Sequence, residues 1–157
     1  MKAIHKLILF SFVIIIFAMG CKKDQQQIDT EPPVIDISTN SFPVQCSILT
    51  RGEKVVFKAK FSDNAALGSY SIDIHQNFDH HTHSTEVANC TLDPIKAPVK
   101  PFLFINTFQL PEGKTVYEAN TEITIPSDID PGDYHFLIKL TDKEGWQTIK
   151  GISIKIK

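Results

Sequence analysis

The chain has 157 residues, 42% of them hydrophobic and 22% charged, with a formal net charge of −2. This length suits one domain with a real hydrophobic core, whereas two domains of half the size would each need metals or several disulfides. The slightly acidic balance excludes the basic footprint that nucleic-acid binding requires.

Residues 1–20, MKAIHKLILFSFVIIIFAMG, have the form of a bacterial export signal. Lys2 and Lys6 lead, an apolar run from Leu7 to Phe17 follows with only Ser11 interrupting, and Ala18 and Gly20 flank Met19 before Cys21. The apolar run is about half the roughly 20 residues a spanning helix needs, which disfavours a plain transmembrane anchor. The segment ending at Cys21 resembles the lipobox of bacterial lipoproteins, with Ala18 where leucine is commoner. That resemblance implies cleavage before Cys21, lipidation of its thiol and a lipid-anchored protein of the bacterial cell envelope. Lys22 and Lys23 do not resemble the aspartate-led inner-membrane retention signal, so the outer membrane is expected. Cleavage takes away two lysines and no acid, moving the formal charge from −2 to −4. Attachment therefore rests on acyl chains and not on attraction to anionic lipid.

Residues 21–33 read as the lipidated cysteine and a polar, flexible tether with almost nothing to bury. From 34 to 157 the pattern is that of one folded domain. VIDIS, starting at Val34, alternates. KVVFKAKF (54–61) sets Val55, Phe57, Ala59 and Phe61 against Lys58 and Lys60, and YSIDIH (70–75) sets Tyr70, Ile72 and Ile74 against Ser71, Asp73 and His75. This period of two predicts half-buried strands. Asp63-Asn64 between them reads as an Asx turn, with calcium binding alongside other oxygens as the less favoured account.

An insertion at 76–100 follows, rich in histidine. Further strands are predicted from Pro101 to Phe108, over 121–125, over 134–140, and from Trp146 to the end, where Ile152, Ile154 and Ile156 are in phase. Phe102, Phe104 and Phe108 read as a core stripe, and Trp146 as a core aromatic. Turn signals fall at Arg51-Gly52, Pro111-Glu112-Gly113, Asp130-Pro131-Gly132 and Lys143-Glu144-Gly145. About seven strands with no helical stripe predict an all-β fold, an immunoglobulin-like Greek-key β-sandwich, with a small barrel as competitor. Cys46 and Cys90 can pair in an oxidising compartment, or stay as two buried thiols.

The segment SIDIHQNFDHHTHSTE concentrates His75, His80, His81 and His83, with Asp73, Asp79 and Glu86 nearby. Neutral imidazole nitrogens suit zinc, copper or nickel, and carboxylates can add oxygen or orient an imidazole. His81-Thr82-His83 puts two side chains on one side of an extended segment. In an immunoglobulin-like sandwich the strand ending at His75 and the strand bearing His135 are neighbours, and both histidines point away from the core. The predicted ligands are His75, His83 and His135, then His81, with His80 last. Asp73, Asp79 and Glu86 are candidates for supporting or oxygen-ligand roles. Zinc is preferred, with copper and nickel open, because no established zinc spacing is present.

No catalytic machinery is recognised. Ser84, His83 and Asp79 make a triad only on paper, and a flat outer sheet face is a poor place to exclude water. Asn89-Cys90-Thr91 is a formal glycosylation sequon that carries little meaning in a bacterial lipoprotein.

The chain resembles the Bacteroidota lipoproteins of domain-of-unknown-function family 4625. The resemblance rests on the lipobox at Cys21, Glu31-Pro32-Pro33, Phe61-Ser62-Asp63-Asn64 followed by Tyr70, SIDIH with the downstream HHTH, and PGDYHFLIKLTDKEGW at 131–146. It implies an immunoglobulin-like envelope domain and a shared site for His75, His81 or His83, and His135. It implies no established activity. The expected function is transition-metal binding for capture, delivery or structural ordering. The alternative is a non-enzymatic adhesion or assembly module that shows the insertion to an envelope protein or glycan.

Overall fold

The computed structural model describes residues 28–83 and 90–157, so Cys21 and Glu86 lie outside the described residues. Eight strands form two sheets: β1 (Val34–Asp36), β2 (Ser47–Leu49), β3 (Lys54–Ser62), β4 (Leu67–Gln76), β5 (Phe104–Gln109), β6 (Val116–Thr124), β7 (Gly132–Asp142) and β8 (Gln147–Ile156). One sheet has the order β1-β3-β6 and the other β2-β8-β7-β4-β5. All pairings are antiparallel except that of β2 with β8. The chain passes between sheets from β1 to β2, from β2 to β3, from β3 to β4, from β5 to β6 and from β6 to β7, as in a Greek-key, immunoglobulin-like sandwich.

The alternating residues make the core. Phe57 and Phe61 from β3 meet Tyr70 of β4 and Phe136 of β7 across the interface, with ring centroids 5.1–6.1 Å apart for the pairs Phe57–Phe136, Phe57–Tyr70 and Phe61–Tyr70. Ile72, Ile74, Ile138, Leu140 and Ile156 are fully buried beside them. Each such side chain gains about 1.5–3 kcal/mol by leaving water. At the start of β7 the Tyr134 hydroxyl donates to the main-chain oxygen of Asp130 (2.6 Å) and accepts from the Phe102 amide (3.1 Å). A tyrosine bonded back to the chain just upstream, at this corner, is a hallmark of immunoglobulin-like sandwiches.

The structure corrects several sequence expectations. Eight strands replace about seven, because β2 is a three-residue edge strand too short to carry a period. The strand expected at 121–125 is the second half of the nine-residue β6. The strand expected from Pro101 begins at Phe104, since proline has no amide to donate to a ladder. Of the expected phenylalanine stripe only Phe102 is buried, with Phe104 and Phe108 half-buried. Trp146 is not a core residue: it is 44% exposed, and its indole Nε1 donates to the main-chain oxygen of Asp29. The tether expected at 21–33 ends earlier, because Asp29 and Pro33 are buried against the sandwich.

Candidate metal centre

β4 and β7 pair so that His75 and His135 are direct cross-strand partners. Their neighbours Ile74, Phe136 and Tyr134 face the core, so alternation puts both imidazoles on the outer face of the five-stranded sheet. After β4 the chain turns sharply. Phe78 is buried edge-on against Tyr134 (5.3 Å), and the His80 amide donates to the Asn77 oxygen (3.3 Å). His80 itself has φ +60°, a left-handed conformation that reverses the chain. Residues 81–83 then lie back over the two strand histidines, and His135 is 0% exposed. The outer face is therefore covered at this point by the segment that carries the other candidate ligands, His81 and His83.

His75, His81, His83 and His135 each offer a ring nitrogen within 4.8 Å of the other three. All six ring pairs have centroids 4.6–5.6 Å apart. His80 is not among them; its Nε2 donates to the Asp93 main-chain oxygen (2.9 Å).

Carboxylates set the tautomers. His75 Nδ1 donates to Asp73 Oδ1 (2.8 Å) and His81 Nδ1 donates to Asp79 Oδ1 (2.6 Å), which leaves the Nε2 lone pair of each neutral ring for a cation. The bond from His81 holds Asp79 below the usual carboxylate pKa of 3.8, so this acceptor stays ionised. His75 Nε2 lies 3.1 Å from His83 Nε2. Two nitrogens bound tetrahedrally to zinc at 2.0–2.1 Å sit about 3.3 Å apart, so this pair is close to ligand spacing already. His135 Nε2 donates to the main-chain oxygen of His81 (3.1 Å), tying the covering segment to β7.

The rest of the insertion is fastened at several points. Cys46 and Cys90 form a disulfide. Lys155 Nζ pairs with Asp93 (2.6 Å) and Asp133 (3.4 Å), and the Asp93 amide donates to Asp133 Oδ2. These partners, the Asp93 bond first, hold the lysine above its usual pKa of 10.5. A hollow of about 390 Å³ opens there, between Cys46, Asn77, Asp133 and Lys155, and none of the four clustered histidines lines it. Sequence reasoning missed this acid–lysine network, whose members are far apart in the chain.

Comparison with known families decides the chain's membership: the model of a domain of unknown function, DUF4625, matches residues 19–157. The chain belongs to the DUF4625 family. No curated protein matches it. Among solved structures it is similar to a GspB Siglec domain (22% identity, TM-score 0.46, covering 82% of this chain and 59% of that one). It is also similar to a DUF4466 family protein from Parabacteroides merdae (14% identity, TM-score 0.50, 82% and 46%). The sporulation control protein Spo0M from Bacillus subtilis matches at 10% identity and TM-score 0.41 (83% and 50%). The chain thus spans about half the length of these structures, and the likeness concerns the fold alone.

Proposed function

We propose that this DUF4625 protein binds one transition-metal ion through His75, His81, His83 and His135, as a lipid-anchored protein of the bacterial outer membrane. The observation that carries this reading is the convergence of four imidazole nitrogens within 4.8 Å. Clustered this closely, four rings would repel one another if protonated, while neutral rings present lone pairs that a cation can share. An all-imidazole set suits zinc, copper or nickel, and zinc is preferred for a closed four-ligand site. Asp73 and Asp79 would orient His75 and His81 through their other nitrogens, a support that typically matters 10–100-fold for affinity. Four protein ligands favour capture, delivery or ordering of residues 77–83 over catalysis, which needs an open position.

Membrane attachment rests on the lipobox-like segment and Cys21. Among the described residues no helix is long and apolar enough to cross a membrane.

The test is elemental analysis of the full chain purified without a histidine tag, then calorimetric titration with zinc, copper and nickel. The expected result is one ion per chain, with affinity reduced at least 100-fold in the His75→Ala/His135→Ala variant. A folded protein that takes up no metal sinks the proposal and favours a module presenting the insertion to a protein or glycan.

A further inference from the structure

A second cluster lies at the other end of β4 and β7. One carboxylate oxygen from each of Asp29, Asp63 and Asp142 lies within 4.8 Å of the other two. The three come from separate places: Asp29 precedes β1, Asp63 follows β3, and Asp142 ends β7.

Each carboxylate has one oxygen positioned by donors. Asp29 Oδ1 accepts from the Glu31 amide (3.0 Å) and Asn64 Nδ2 (2.8 Å). Asp63 Oδ2 accepts from the Ala65 amide (2.9 Å), the expected Asx turn. Asp142 Oδ1 accepts from the Gly145 and Trp146 amides (2.6 and 2.8 Å). The other oxygen of each, Asp29 Oδ2, Asp63 Oδ1 and Asp142 Oδ2, is buried without a hydrogen-bond partner among the described residues. Asp29 is 8% and Asp142 4% exposed, and no described lysine or arginine pairs with any of the three. Donors thus fix the orientation of three acids whose remaining oxygens are withdrawn from water. Buried carboxylates need partners, and like charges at this spacing repel unless a cation lies between them or a proton is taken up.

We infer that Asp29, Asp63 and Asp142 form a calcium site that clamps the chain entering the sandwich to the β3–β4 turn and to the end of β7. The donor set is all oxygen, which suits a hard cation, in contrast to the imidazoles at the opposite end. Two oxygens on one calcium, each at 2.3–2.6 Å, are at most about 5 Å apart, and the cluster fits within that span. Three negative charges favour a divalent ion over sodium. The clamped segment already bonds to the sandwich at the acid itself and four residues after it, through Trp146 Nε1 to the Asp29 main-chain oxygen and Thr148 Oγ1 to the Pro33 oxygen.

Trp146 is the sole tryptophan of the chain and touches Asp29, so it reports on the site. Terbium, a luminescent stand-in for calcium, is added to the full chain in detergent, with tryptophan excitation. Sensitised emission is expected, removed by calcium but not by a tenfold larger amount of magnesium. Calcium affinity measured by titration should fall at least tenfold in Asp63→Asn and in Asp142→Asn, two variants that keep an oxygen for the local amides. His75→Ala/His135→Ala should retain calcium affinity within twofold, which separates this site from the histidine cluster. Absence of emission and calcium heat in the folded protein, equal displacement by magnesium, or unchanged affinity in both acid variants would overturn the inference.

Discussion

At the scale of single residues, Asp130 illustrates how one side chain can fix two segments. Its Oδ2 accepts from the amides of Val99 and Lys100 (both 2.7 Å), while its main-chain oxygen takes the Tyr134 hydroxyl. The end of the histidine-bearing insertion is thereby held to the corner from which β7 departs. The Val99 amide bond, with that of Lys100, keeps the Asp130 carboxyl below its usual pKa of 3.8. A carboxyl whose pKa is lowered by folding stabilises the fold above its unfolded pKa, and that contribution fades as pH falls through the folded value. Asp130→Ala should therefore lower the melting temperature at pH 6 to 7. The gap from wild type should narrow as pH drops below 3.8. Thermal melts across pH 3–7 check this, and a gap independent of pH would mean that the side chain acts through packing and not through its charge.

At the scale of elements, the insertion between β4 and β5 matters most, because it supplies His81 and His83. Phe78 and Phe102 bury its two ends, and the disulfide ties its middle to the segment before β2. The bridge closes a separation of 44 residues. By chain entropy a loop of that length is worth about 4 kcal/mol, an upper figure if the reduced chain keeps structure. Urea unfolding of Cys46→Ser/Cys90→Ser should show a loss approaching this value. A loss below about 1 kcal/mol would show that the buried aromatics already hold the insertion. The elements differ in how far sequence revealed them. The strands bearing His75 and His135 were legible because over 70–75 and 134–140 their inward positions are apolar at every second residue, with Leu137 the one apolar residue out of phase, and adjacency followed from the expected topology. β2 was not legible, because three residues carry no period. The return of residues 81–83 over His75 and His135 is implied once His81 and His83 are counted as ligands, but the left-handed turn at His80 that produces it had no signal, since no residue type there demands it. The tyrosine corner had a signal, Asp130-Pro131-Gly132-Asp133-Tyr134, that reading for turns alone passed over. The acidic trio drew on residues 29, 63 and 142, a separation that local pattern cannot bridge.

At the scale of the whole molecule, a cluster of candidate cation ligands lies at each end of β4 and β7. His135 and Asp142 are seven residues apart on one strand, which at about 3.3 Å per residue separates the ends by about 23 Å. The acidic end is the one the N-terminus reaches. Only residues 22–28 lie between Cys21 and the docked Asp29. Fully extended, that stretch reaches at most about 29 Å, so a lipid on Cys21 would keep the acidic end near the bilayer and leave the insertion free to face away. Lipidation is thus expected to govern location without contributing to the fold, because the Cys21 thiol precedes every buried residue described. Cys21→Ser should abolish incorporation of labelled palmitate and move the protein from the membrane to the soluble fraction or the unprocessed precursor. The disulfide, the melting temperature and zinc uptake of the purified variant should match those of the wild-type chain. If the wild-type chain takes up no label and Cys21→Ser is processed and located as the wild type is, attachment runs through the apolar segment ahead of Cys21, and the lipoprotein reading fails.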